Sequence, residues 1–151
     1  MSDDSLLIKN QICFRVYSLE RAIQQAYKPL LRNLDITYPQ YLVLLVLWEK
    51  REVTVGQLCE VLGLDTGTVS PLVKRMEKKR LVERRRLPSD ERSVLITLTP
   101  EGEDVEDRAK SIPRDLVQCL FGKQEAAEAY KTLRSVLDDV LRTIGNSCMI
   151  Q

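Results

Sequence analysis

The chain has 151 residues, 44% hydrophobic and 30% charged, with 23 Lys and Arg against 22 Asp and Glu. That is enough for one domain with one core, in a composition ordinary for a globular protein rather than a disordered or fibrous one. Histidine is absent, which removes Ser-His and Cys-His catalysis, and the four cysteines, Cys13, Cys59, Cys119 and Cys148, form no CxxC pair. Neither an enzyme nor a metal site nor a cofactor is expected. No apolar run approaches the roughly 20 residues of a membrane helix. The acidic start Met1-Ser-Asp-Asp is unlike a basic secretory leader, so a cytoplasmic protein is expected.

From about residue 5 to 33, Leu6, Leu7, Ile12, Cys13, Val16, Tyr17, Ile23, Tyr27, Leu30 and Leu31 recur mostly at helical spacing. Pro29 inside this run predicts a kink or junction near Lys28. Thr37-Tyr-Pro-Gln40 fits a capping box and opens a helix over 40–49. That helix is apolar nearly all round, as suits the centre of a core. A second capping box, Thr54-Val-Gly-Gln57, opens a short helix with Val55, Leu58, Val61 and Leu62 on one face. Gly63 is placed to end it in the left-handed conformation.

Asp65 then caps a helix over 66–79, with Val69, Leu72, Val73 and Met76 facing inward. Its opposite face carries Thr66, Thr68, Ser70, Lys74, Arg75 and Lys78. Two strands follow, over 81–86 and 92–98, joined by a polar turn containing Pro88 and Ser89. Thr99-Pro-Glu-Gly starts another helix, predicted to run to about Phe121 with an interruption at Pro113. Gly122 separates it from a last helix over about 124–144, striped by Tyr130, Leu133, Val136, Leu137, Val140, Leu141 and Ile144.

Helix, turn, helix, hairpin, helix is the order of a winged helix-turn-helix, so the expected class is mainly α with a small β-wing. Residues 74–92 hold nine Lys or Arg against four Asp or Glu, while the rest of the chain holds fourteen against eighteen. Positive charge gathered on one helix and one hairpin of a nearly neutral protein is the footprint of a polyanion partner, and duplex DNA fits it. Short hydroxyls at Thr66, Thr68 and Ser70 suit base edges, and Lys74 and Arg75 suit phosphates. Arg84, Arg85, Arg86 and Arg92 are expected to engage backbone or minor groove from the wing.

One domain spanning 1–151 is expected, with a DNA-reading unit over about 36–99. The terminal helices, over about 5–35 and 101–145, present more apolar surface than one small domain hides. A C2 homodimer built from them is expected, its two reading helices about 34–36 Å apart on a near-palindromic operator.

The element order, Leu95-Ile-Thr-Leu-Thr-Pro-Glu-Gly102 and the wing's Asp90-Glu-Arg92 make the chain resemble the MarR family of winged-helix regulators. Asn10-Gln-Ile-Cys-Phe14, Tyr27-Lys-Pro-Leu-Leu31, Ile36-Thr-Tyr-Pro-Gln-Tyr-Leu42, Leu64-Asp-Thr-Gly-Thr68, Pro71-Leu-Val-Lys-Arg-Met76 and Ser89-Asp-Glu-Arg-Ser93 resemble its organic hydroperoxide resistance branch. The resemblance covers nearly the whole chain. It implies a redox-sensing repressor in which Cys13 is the peroxidatic thiol, Asp90 pairs with Arg92 to shape the wing, and Cys119 of the partner chain is the candidate resolving cysteine. Tyr17 lies four residues along the helix from Cys13 and therefore neighbours it. The resemblance brings Tyr27 and Tyr38 to the thiol from the partner subunit.

A phenol donates to a thiolate without adding charge, which favours ionisation in an apolar pocket. Phe14, Leu42 and Leu45 would wall such a pocket for an organic hydroperoxide as inducer. Taken alone, without its flanking motif, Cys13 reads first as a small buried hydrophobe, the commonest fate of a lone cysteine. The alternative function is a regulator answering a small aromatic ligand, with Cys13 incidental. Cys59 reads as core filler, and Cys148 as part of a frayed tail.

Overall fold

The computed structural model describes residues 4–87, 90–122 and 126–148, with side chains described except at 87, 90–92, 126 and 146–148. The chain divides into two compact units, one of residues 27–111 and one of residues 1–26 with 112–151. The division falls inside the first helix, α1 (Ile12–Arg32).

In the first unit, α2 (Tyr38–Lys50) is the hub. Thr37 and Gln40 form the expected capping box, with the backbone N–H of Thr37 donating to Gln40 Oε1 at 2.9 Å. Tyr41, Val43, Leu44 and Leu47 of this helix are at most 1% exposed. Around it pack β1 (Glu52–Thr54), α3 (Val55–Leu62), α4 (Thr66–Lys78) and α5 (Pro100–Ala109). With β2 (Val82–Leu87) and β3 (Asp90–Leu98), the strands form an antiparallel sheet in the order β1-β3-β2. Val53 and Arg84 both stand opposite Ile96 in register, and a bulge at Arg86/Leu87 breaks the pairing near the wing tip.

Gly102 fixes how the wing joins α5. A Cβ there would lie 2.1 Å from the Leu81 carbonyl oxygen, so only glycine admits this approach. Its own carbonyl accepts a hydrogen bond from Trp48 Nε1 at 3.2 Å, tying α5 to the hub. Thr99 caps α5 by accepting from the Gly102 N–H at 3.1 Å, and donates its hydroxyl hydrogen to the Arg80 carbonyl.

In the second unit, α6 (Ile112–Phe121) packs on α7 (Ala126–Cys148). Gly122, at φ 76°, turns the chain at the end of α6.

Several expectations are corrected. Residues 4–10 form two short 3-10 turns, Asp4–Leu6 and Ile8–Asn10, and α1 starts only at Ile12. Pro29 does not end the helix, since α1 continues through it to Arg32, but the division between the two units does fall near Lys28, between residues 26 and 27. Proline removes a single backbone hydrogen bond there, and burial of Leu31 at 2% exposure holds the following turn. Pro113 does not interrupt a helix. The break comes earlier, at Lys110 and Ser111, and Pro113 is the second residue of α6, where its missing N–H would have had no intrahelical partner.

Strand β1 was not foreseen. Val61 is 50% exposed rather than inward. Cys59 is half-buried, not core filler, and α7 runs on to Cys148 instead of fraying before it. The turn residues Pro88 and Ser89, the start of the last helix at Gln124 and the side chain of Cys148 lie outside the described residues.

Candidate nucleic-acid interface and thiol site

The turn between α3 and α4 is set by local chemistry. Thr54 and Gln57 form the second capping box, Gly63 closes α3 at φ 63°, and Asp65 caps α4. Asp65 accepts from the Thr68 backbone N–H at 2.9 Å and from the Thr68 hydroxyl at 2.9 Å. These bonds, the hydroxyl's first, hold the Asp65 carboxyl below its usual range.

Val69, Leu72, Val73 and Met76 anchor α4 in the core, as read from the sequence. Thr66, Thr68, Lys74 and Arg75 are exposed and Ser70 is half-buried on the other side. The Thr68 hydroxyl gives its hydrogen to the cap and keeps its acceptor lone pairs and methyl for a partner. Thr66 Oγ1 lies 3.8 Å from Cys59 Sγ.

On the wing, Arg85 and Arg86 are exposed. Arg84 differs. Its Nη1 lies 3.1 Å from Glu77 Oε2, so the side chain turns back onto α4 and ties the wing to the reading helix. Asp90 and Arg92 belong to β3, but their side chains lie outside the described residues.

In the terminal unit, Cys13 and Cys119 are both exposed free thiols, the first near the start of α1 and the second on α6. In the single chain, therefore, Cys13 is not packed into its own unit's core. Tyr17, one turn beyond Cys13, stacks loosely with Phe14 at a ring separation of 6.5 Å. Its phenol oxygen accepts a hydrogen bond from Arg21 Nη1 at 3.2 Å, a partner the sequence reading missed although the i,i+4 spacing offered it.

In the other unit, Tyr27 and Tyr38 stack at 4.7 Å, and Tyr41, also missed, lies 5.5 Å from Tyr27. Burial, then the neighbouring Tyr38, pushes the Tyr41 phenol up. No group among the described residues has the His, Cys, Asp or Glu cluster a metal needs, and no described helix is long and apolar enough to cross a membrane.

A capped helix-turn-helix with an exposed cationic face, braced by a basic wing, defines a winged-helix protein. The comparisons carry this further. The family model described as transcriptional regulator SarA/Rot matches residues 25–109. The organic hydroperoxide resistance transcriptional regulator of Bacillus subtilis is 43% identical over 141 residues, covering 93% of this chain and 94% of that protein. The structure of reduced AbfR bound to DNA is similar with a TM-score of 0.81 at 33% identity, covering 97% of this chain and 98% of that one. AbfR comes from Staphylococcus epidermidis. Its disulfide-formed state has a TM-score of 0.65 at 32% identity, covering 92% of each chain. A mutant MarR from E. coli complexed with operator DNA has a TM-score of 0.75 at 30% identity, covering 83% of this chain and 90% of that one.

The chain belongs to the MarR family of winged-helix transcriptional regulators, in the branch of the organic hydroperoxide resistance regulators, and is not an enzyme.

Proposed function

We propose that this regulator is a cytoplasmic homodimeric repressor that releases its operator when an organic hydroperoxide oxidises Cys13. The observation that carries the reading is the exposed Cys13 thiol, one helical turn from the Tyr17 phenol, in a chain 33% identical to AbfR, whose reduced form was solved on DNA. The dimer reading is supported by Ile12, Val16, Val136, Val140, Leu141 and Ile144 on the terminal helices, each 47% exposed or more.

In the reduced dimer, α4 enters the major groove with Thr66, Thr68, Ser70, Lys74 and Arg75. Arg85 and Arg86 reach backbone or minor groove, and Arg84 holds the wing against α4. The thiolate of Cys13 attacks the distal oxygen of the hydroperoxide, the O–O bond breaks, and the alkoxide leaves and takes up a proton to become an alcohol. Sulfur is oxidised by two electrons to a sulfenic acid. Cys119 of the partner subunit then attacks that sulfur, forming a disulfide and releasing water.

Tyr17 of the same chain, with Tyr27 and Tyr38 of the partner subunit, donates to the thiolate. A hundredfold loss of operator affinity on oxidation corresponds to about 2.7 kcal/mol, and emptying a nearly saturated operator to about 1% takes about 5.5 kcal/mol of differential affinity.

The test is anisotropy of a fluorescent promoter duplex with wild-type, Cys13→Ser and Cys119→Ser proteins, before and after stoichiometric cumene hydroperoxide, alongside non-reducing electrophoresis. Wild type should release DNA and run as a covalent dimer, Cys13→Ser should stay bound, and Cys119→Ser should not cross-link. Release by Cys13→Ser would overturn the reading.

A further inference from the structure

We propose that Arg21 is a positioning residue for the Cys13 thiol, acting through Tyr17; the inference rests on the sensor reading above. Cys13, Tyr17 and Arg21 are spaced i, i+4, i+8 on α1, so they occupy one column on successive turns. The Tyr17 phenol oxygen accepts from Arg21 Nη1 at 3.2 Å, and the guanidinium carbon sits 5.7 Å from the centre of the Tyr17 ring. Two contacts from one side chain hold the phenol in place, although Tyr17 is 54% exposed and free of close packing on much of its surface.

The polarity of this pair matters more than its strength. A phenol has one hydrogen to give and lone pairs to accept with, whereas a guanidinium has donors only. Arg21 therefore occupies a lone pair and cannot take the hydrogen. That hydrogen is left for an acceptor, and the thiolate one turn towards the N-terminus is the acceptor the column provides. A hydroxyl whose oxygen already accepts a charged donor gives its own hydrogen more strongly. When Cys13 sulfur attacks the distal peroxide oxygen, the O–O bond breaks and the alkoxide departs to be protonated. The Tyr17 O–H, held by Arg21, is the donor that keeps the sulfur aimed until then.

Glutamine at position 21 would reverse the pair, because its amide oxygen can accept the phenol hydrogen that the thiolate needs. Lysine, also donor-only, would preserve it.

The experiment measures the rate of Cys13 sulfenate formation with cumene hydroperoxide, trapped by dimedone and read by intact mass. The proteins are wild type, Arg21→Gln, Arg21→Lys, Tyr17→Phe and the Arg21→Gln/Tyr17→Phe double variant, each with DNA affinity in the reduced state as the folding check. Arg21→Gln should slow the reaction by about three- to tenfold, the worth of one solvent-exposed hydrogen bond. Arg21→Lys should recover most of that loss, and in the Tyr17→Phe background Arg21→Gln should change nothing further. An equal slowing in both backgrounds would mean that Arg21 acts by charge alone and would overturn the proposal, as would a lysine variant as slow as the glutamine one. A wild-type thiol that reacts no faster than free cysteine would instead sink the sensor reading itself, which separates the two failures.

Discussion

Replacing Arg86 and Arg84 by alanine, one at a time, separates a DNA contact from an internal brace. Arg86 is exposed on β2, while Arg84 is 24% exposed and paired with Glu77 at 3.1 Å. Each phosphate contact steepens the dependence of log affinity on log salt by about 0.9, and a twofold dimer presents every contact twice. Arg86→Ala should therefore flatten the slope by about 1.8, so that the affinity lost between about 50 and 200 mM salt shrinks roughly tenfold. Arg84→Ala should leave the slope unaltered and lower stability by no more than about 1 kcal/mol, as suits a half-exposed ion pair. Anisotropy titrations on a non-specific duplex at four salt concentrations, with thermal melts in parallel, read both quantities. If Arg84→Ala flattens the slope as much as Arg86→Ala does, or if Arg86→Ala leaves it unchanged, Arg84 is no internal brace or Arg86 no phosphate contact.

Three further outcomes follow from the packing and the caps. Gly102→Ala sets a Cβ against the Leu81 carbonyl at 2.1 Å and Leu98 Cδ2 at 3.0 Å, so chemical denaturation should report a loss of at least about 2–3 kcal/mol. Leu47→Ala empties part of the hub at a site 0% exposed and should cost about 2–5 kcal/mol in the same assay, with the dimer concentration held fixed. The Asp65 carboxyl is held low by its bonds from Thr68, so its contribution to folding is complete above the ordinary carboxylate range and falls away as acid protonates the folded form. The acid limb of the stability curve should therefore be shallower in Asp65→Ala than in wild type, and an identical limb would remove this cap from the account.

What could be read in advance was whatever a few neighbouring residues decide among themselves. Thr54 with Gln57, Thr37 with Gln40, Gly63 and Asp65 each satisfy backbone groups within one turn, and all four act as the spacing predicts. The inward face of α4 was equally legible, since Val69, Leu72, Val73 and Met76 follow the helical period. Strand β1 carried no such mark: three residues make no pattern, and Val53 becomes part of a strand only by standing opposite Ile96, more than forty residues later. Pro113 was misread for a related reason. The residue itself permits either a helix end or a helix start, and the break at Lys110 and Ser111 settles which.

The site divides along the same line. The column Cys13, Tyr17, Arg21 is sequence arithmetic, and Arg21 could have been picked out from its spacing. That Arg84 bends back to Glu77 while Arg85 and Arg86 stay exposed could not, because three consecutive arginines look alike until a strand's alternation and a neighbouring helix distinguish them. The sequence alone determined the caps, the helical periods and the concentration of positive charge on α4 and the wing, since these depend on contacts within a turn or on composition. Only the tertiary structure decided which cations remain available to a partner, why residue 102 must be glycine, and that Cys13 is exposed, because each of these depends on atoms brought together across long stretches of chain.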